Sequence, residues 1–258
     1  MSGLAIILIG LVAVMLVMAG TWLFSIKIDN FSIVDSVWAF CFIIQAAIFA
    51  VLTEGFWQRK LLLFAVVCVW GLRLGLFLAI RILGHHPQED RRYVQLRAEY
   101  GSNYKARFLI FFQLQAFSVS LLTIPFILIL QNTQESLSIV EVVGAAVSLL
   151  SIFFEGLSDA QMSNFKSNKA NAGKVCTAGL WKYSRHPNYF FEICVWWGYF
   201  IFALGSPNGV YSIYLPLVMT FLITKVTGIP LAEKSINSSK YDNYRKTTSV
   251  LIPWFPKK

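Results

Sequence analysis

Charged side chains are scarce in this sequence. Asp, Glu, Lys and Arg make up 14% of its 258 residues, where a soluble domain carries roughly 25%, and the shortfall excludes a soluble globule of this length. Histidine and cysteine are few as well. Cys41, Cys68, Cys176 and Cys194 stand apart without paired spacing, and no second His, Cys or Asp group at ligand spacing joins His85-His86. Neither a zinc site nor a disulfide framework is indicated, and no metal is expected. No Gly-x-Gly-x-x-Gly follows a strand-like run, so a Rossmann module is excluded. Internal repeats, low-complexity tracts and long linkers are also missing, which leaves one integral-membrane domain over 1–258 as the expectation.

What fills the space is hydrophobic residues, at 57%. A helix crosses the hydrocarbon core with about 20 apolar residues, and seven stretches come near that length: Leu4 to Phe24, Phe31 to Leu52, Leu61 to Ile82, Phe108 to Leu130, Ile139 to Leu157, Tyr189 to Leu204 and Val210 to Ile229. The pattern predicts an all-α polytopic bundle of about seven transmembrane helices. The first stretch is long and lacks a basic leader, so it is read as a retained span rather than a cleaved signal. Lys and Arg concentrate in Gly84 to Arg107, Gln161 to Arg185 and the tail from Glu233 to Lys258. Seven spans put these three segments on one side, which predicts an N-terminus outside and a C-terminus in the cytosol. The net charge of +9 then reads as a topology signal, with no nucleic acid as partner. Either a bacterial inner membrane or the endoplasmic reticulum fits.

Ionisable residues inside a span are costly and are therefore functional candidates. Asp35, with Trp38, Phe42 and Gln45, falls on one broad helix face. It is read either as an interfacial cap or as a carboxyl group in an apolar pocket, neutral and able to donate a hydrogen bond. Gln45 reads as a hydrogen-bonding link between helices. Arg73 lies within the third span beside Gly71-x-x-x-Gly75; it either snorkels toward the cytosolic end or faces a cavity that holds an anion. Glu155, Asp159 and Lys166 stack on one helix face. Gln88 to Tyr93, taken alone, reads as a solvated charge run, and Trp254-Phe255 as an interfacial anchor.

The most specific segment is Gly179-Leu-Trp-Lys-Tyr-Ser-Arg185-His186-Pro187-Asn188-Tyr189-Phe-Phe-Glu192. Proline suits the first position of a helix, where its missing N–H is no loss. The helix start it marks carries partial positive charge and unpaired N–H donors, so Arg185, His186, Asn188 and Tyr189 form a plausible receptor for an anionic or phosphate-bearing group. Glu192, one turn inside, needs a polar partner.

This segment, Glu155-x-x-x-Asp159-x-Gln161-x-x-x-Phe165-Lys166, Trp70-x-x-Arg73, Glu89-Asp90-x-Arg92-Tyr93, Trp196-Trp197-Gly198 and the tail from Pro230 to Phe255 resemble the membrane superfamily of steroid 5-alpha-reductases, sterol reductases and isoprenylcysteine carboxyl methyltransferases. The closest likeness is to its branch of 3-oxo-5-alpha-steroid 4-dehydrogenase-like proteins. The resemblance implies NADPH bound among the C-terminal helices, by Arg73, Asp159, Lys166, Arg185, His186, Asn188, Tyr189 and Glu192. It implies a hydrophobic lipid substrate, a steroid or isoprenoid enone, whose carbon–carbon double bond is reduced. Residues 1–107 form the substrate side and 108–258 the nucleotide part, with Asp35 and then Tyr93 as candidate catalytic proton donors. The alternatives are an S-adenosylmethionine-dependent methyltransferase of a lipid or prenylated thiol, which shares the Arg-His-Pro element, and a non-catalytic lipid-binding protein.

Overall fold

The hydrophobic runs become helices because a chain in hydrocarbon must satisfy every backbone N–H and C=O internally. The computed structural model describes residues 1–234 and 239–257. Among the described residues ten α-helices follow in order: α1 Gly3–Ile28, α2 Ile33–Leu52, α3 Trp57–His85, α4 Arg91–Tyr100, α5 Tyr104–Leu130, α6 Ile139–Ser167, α7 Pro187–Ala203, α8 Tyr214–Phe221, α9 Ile229–Lys234 and α10 Ser239–Thr247. No strand occurs among the described residues. Six helical stretches among the described residues are long and apolar enough to cross a membrane: Gly3–Ile28, Ile33–Leu52, Trp57–His85, Arg91–Leu130, Ile139–Ser167 and Gly209–Glu233. The expected sixth span corresponds to α7, which at 17 residues is shorter than the roughly 20 of a full crossing.

The chain forms two compact units, one of Met1–Leu137 with Gly205–Gly209, the other of Ser138–Leu204 with Val210–Lys258. In the first, α1 buries only the narrow seam Ile6, Gly10, Val14, Met18, Thr21 and Ser25, residues spaced by three or four that share one helix face. The small residue lets the partner in: a methyl on Gly10 would lie 2.7 Å from the Phe49 ring of α2. Between α2 and α3 the Gly71-x-x-x-Gly75 pair does the same work. Ile43 and the Ala39 carbonyl press on Gly71, Phe40 presses on Gly75, and the Ser36 hydroxyl donates to the Gly75 carbonyl at 2.8 Å. Close backbone approach replaces the hydrophobic drive that lipid does not supply. Gln45 is fully buried and accepts from Ser120 of α5 at 3.2 Å, the interhelical link its position implied.

Arg59 in the first turn of α3 is buried, yet its guanidinium is well supplied with acceptors. It donates to the carbonyls of Asn132, Gln134 and Ser136 at 2.8, 3.0 and 2.6 Å. The turn after α5 is thereby tied to α3.

In the second unit, α6 starts with a reciprocal cap between Ser138 and Glu141 and runs against α7 with no side chain between them at one point. A methyl on Gly144 would strike the Phe202 backbone, and one on Gly198 would strike Ser148. The Ser148 hydroxyl donates to the Val195 carbonyl at 3.3 Å. After α8 the chain widens into a π turn over Leu222–Val226 and passes through Gly228 into α9.

Candidate functional site

Each unit holds its own polar cluster. In the first, Asp90 caps α4 by accepting from the Arg92 amide at 3.0 Å, and this cap aims the rest of the Glu89 to Tyr93 segment at the α1–α2 turn. Glu89 accepts from the Phe31 amide at 2.6 Å, the Asp90 amide donates to Ser32 at 3.0 Å, and Arg97 bridges Asp29 and Glu89 at 2.6 and 3.1 Å. The segment that reads as a solvated charge run is therefore folded inward. Tyr93 is buried at 3% exposure, beside Phe108 and Phe111.

At the centre of this cluster is Asp35. The Tyr93 hydroxyl donates to one of its oxygens at 2.6 Å and Arg92 to the other at 2.7 Å. The sequence leaves Asp35 as either an interfacial cap or a neutral carboxyl donor in an apolar pocket. Its place in the first turn of α2 sets it within reach of α4, where its two oxygens accept from Tyr93 and Arg92. The aromatic surroundings are present one turn further on, where Trp38, Phe42 and the fully buried Trp70 meet edge to face with centroids 4.7 to 6.1 Å apart. Arg73 is half-buried on α3, its guanidinium carbon 5.8 Å from the Phe77 ring centroid.

The second cluster grows from the start of α7. Pro187 occupies the first turn and His186 precedes it without capping the helix through its side chain. Ahead of that start, Gly179 adopts a φ of +58° with Gln161 packed where a side chain would be. Gln161 accepts the Leu180 amide at 2.9 Å, and the Trp181 indole donates to the Ser158 carbonyl at 2.9 Å. These bonds hold the segment against α6, so Asn188 donates to Asp159 at 3.2 Å. Glu192, buried at 9% exposure, accepts from the Trp196 indole at 2.8 Å; this is the polar partner its position demanded. The His186 and Tyr189 rings stack, centroids 5.4 Å apart and 14° from parallel. Lys166 is exposed in the last turn of α6.

Glu233 of α9 joins the parts, and the sequence reading did not place it among the site residues. One of its oxygens takes Arg185 at 3.2 Å, His186 at 3.0 Å and the Tyr241 hydroxyl at 3.4 Å; the other faces Arg245 at 3.6 Å. The available signal was a tail of many basic residues with only two carboxylates, Glu233 and Asp242. Burial, with Glu233 adding to it, pushes the Tyr241 phenol up to about 12, so it keeps its proton and remains a donor. The tail is further fastened by Tyr244, whose hydroxyl donates to the carbonyls of Trp181 and Ser184, and by the Arg185 amide bonded to the Ser249 carbonyl at 2.8 Å.

Among the described residues, two buried atoms of this cluster have no hydrogen-bond partner, Arg185 Nε as donor and Asn188 Oδ1 as acceptor. Buried polar groups are paired in the great majority of cases, so this pair marks a place suited to a polar ligand offering both an acceptor and a donor. Among the described residues, no group of three His, Cys, Asp or Glu is arranged to hold a metal ion.

The family model described as a protein of unknown function (DUF1295) matches residues 21–248. No curated protein and no solved structure matches the chain.

Burial lowers the His186 pKa below 6.5, and the Arg185 charge lowers it further against the opposing pull of Glu233. The imidazole is therefore neutral at pH 7. As pH falls through about 6.5 the unfolded chain takes up a proton that the folded chain refuses until a lower pH, so folding stability drops over that window. Thermal unfolding in detergent from pH 7.5 to 5 is expected to show this fall, and His186→Gln is expected to flatten it. Equal slopes in the two proteins would assign the pH dependence elsewhere.

Proposed function

We propose that this chain, which belongs to the DUF1295 family, is a membrane-embedded reductase that uses NADPH to saturate a carbon–carbon double bond in a hydrophobic lipid. The substrate class is an enone such as a 3-oxo-4-ene steroid or an isoprenoid, and the relationship to steroid 5-alpha-reductases read from the motifs is part of the proposal. The observation that carries it is the unpaired Arg185 Nε and Asn188 Oδ1 within a buried cluster of Asp159, Glu192 and His186. That donor set fits a nucleotide. Arg185 offers a guanidinium to a phosphate, while Asp159, Glu192 and Asn188 offer acceptors and an amide to sugar hydroxyls or a carboxamide. Glu233 fixes the direction of Arg185 and His186, and the neutral, stacked His186 adds no charge of its own. When bound, NADPH supplies a hydride.

The proton needed to complete the reduction is assigned to Tyr93. Its hydroxyl is short-bonded to Asp35, and Arg92 completes the pairing of that carboxylate. A phenol so oriented can hydrogen-bond an oxygen on which negative charge develops when hydride adds to the β-carbon of an enone, and can then give up its proton.

The same reading includes the topology. We take α7 as a seventh crossing, since its 17 residues, mostly apolar, rise about 26 Å, close to the hydrocarbon thickness of about 30 Å. Seven crossings place the N-terminus outside and the C-terminus in the cytosol, with the basic segments on the cytosolic side.

Three measurements test these statements. Purified protein should bind NADPH rather than S-adenosylmethionine, and Arg185→Ala should weaken NADPH binding by roughly 1.5 to 3 kcal/mol, the range for a charged hydrogen bond. Preference for S-adenosylmethionine would convert the reading to a methyltransferase, and unchanged affinity in Arg185→Ala would move the nucleotide elsewhere. In single turnover, Tyr93→Phe should retain NADPH binding but slow hydride consumption by about a hundredfold or more, the usual contribution of a general acid; an unaltered rate would remove Tyr93 from the chemistry. Cysteines placed at the exposed Ser136 and Lys257 should be labelled from opposite faces of the membrane. Labelling from one face would mean that α7 does not cross.

A further inference from the structure

The second unit contains a cleft apart from the Arg185 cluster. It has a volume of about 380 Å³ and is lined by Lys174, Thr177 and Lys182 on one side and by Asn243, Thr247 and Thr248 on the other, with Pro256 of the tail at its edge. Among the described residues, two cations and several hydroxyls line it, and no carboxylate does. Asp242, next to Asn243, faces Arg245 at 3.6 Å. Such a lining is complementary to a phosphate: lysine provides compact charge, and the Thr177 and Thr248 hydroxyls can donate to the remaining oxygens, the Thr247 hydroxyl being bonded to the Asn243 carbonyl at 3.1 Å.

The walls are held by the chain itself. Tyr244 is bonded to the carbonyls of Trp181 and Ser184, the Ser184 hydroxyl to the Leu251 carbonyl at 2.7 Å, the Trp254 amide to the Tyr183 carbonyl at 2.9 Å, and the Lys257 amide to the Thr247 carbonyl at 2.8 Å. An ordered cleft needs little rearrangement to receive a ligand.

What lies beside the cleft decides the source of the phosphate. The tail that brings Pro256 to its edge also presents Trp254 and Phe255 at 70% and 75% exposure. Phe255 packs edge-on against Tyr183, with centroids 5.9 Å apart, and the Lys182 amino group lies 5.7 Å from that Tyr183 ring. Basic cleft and aromatic tail are thus one continuous surface. Tryptophan and its neighbours sit favourably at headgroup level, and lysines near the membrane surface are drawn to anionic lipid. A water-soluble phosphate would leave the Trp254-Phe255 pair unexplained.

We propose that this cleft binds the phosphate of an anionic phospholipid headgroup, with Trp254 and Phe255 inserted in the interfacial layer next to it. The site is independent of which cofactor the protein uses. The test is the unfolding temperature of purified protein in detergent micelles titrated with phosphatidylglycerol or, separately, phosphatidylcholine. Phosphatidylglycerol should stabilise the wild type in a saturable way, and more than phosphatidylcholine. The double variant Lys174→Gln/Lys182→Gln should need about tenfold or more lipid for the same response. The charge-matched variant Lys105→Gln/Lys169→Gln, outside the cleft, should respond as the wild type does. Trp254→Ala/Phe255→Ala should weaken the response with charge unchanged. Equal responses of the two lysine variants would overturn the proposal, as would a wild type indifferent to the headgroup. Stabilisation by inorganic phosphate or NADP⁺ that depends on Lys174 and Lys182, with none from phosphatidylglycerol, would overturn it too and assign the cleft to a soluble phosphate.

Discussion

Without water to turn to, each polar group in a hydrocarbon-embedded helix must find its partner in the protein, and the internal arrangement of both units follows from that requirement. Thr21 and Ser25 return their hydroxyl protons to carbonyls one turn back, each at 2.8 Å. Ser36, Gln45 and Ser148 instead reach a neighbouring helix. Arg59 is the extreme case, a buried guanidinium serving three carbonyls. Cutting one partner from such an arrangement costs more than the bond itself is worth, because the other is left desolvated. The polar positions thereby fix which faces meet.

The two clusters solve this problem alike. Each has one carboxylate as its hub, Asp35 in one and Glu233 in the other, and each hub collects an arginine and a tyrosine. A shared carboxylate aims several donors at once. It also leaves atoms of the collected side chains available for other tasks, as with Arg185, which gives its terminal nitrogen to Glu233 and keeps Nε unpaired.

Six of the seven expected spans were legible in the sequence because run length is a one-dimensional property. Pro187 announced the start of α7, and the Gly71/Gly75 spacing announced a close helix contact, since both are local rules. Hubs were another matter. His186 and Glu233 are 47 residues apart in the chain, and Tyr93 and Asp35 are 58 apart; nothing in either neighbourhood records the other. Asp35 was singled out for the apolar residues on its own helix, which say nothing of the arginine that α4 brings. The Glu89 to Tyr93 run looked solvated for the same reason. Charge in a short polar segment is ambiguous until its surroundings are known. The bare contact of Gly144 and Gly198 with facing backbone was hidden too, because a lone glycine in an apolar run has many explanations.

That glycine contact acts as a pivot. Fifteen residues of α6 separate Gly144 from Asp159, about 22 Å along the axis, and ten residues of α7 separate Gly198 from Asn188, about 15 Å. With the axes pinned so closely at one point, the remaining freedom between the helices is largely their crossing angle. A rotation of about 3° swings the far end of α6 by about 1 Å, enough to part Asp159 from Asn188, now 3.2 Å apart. The spacing of these two groups is thus governed as a lever governs its tips, and a bulkier residue at the pivot would be felt first at the opposite end of the pair.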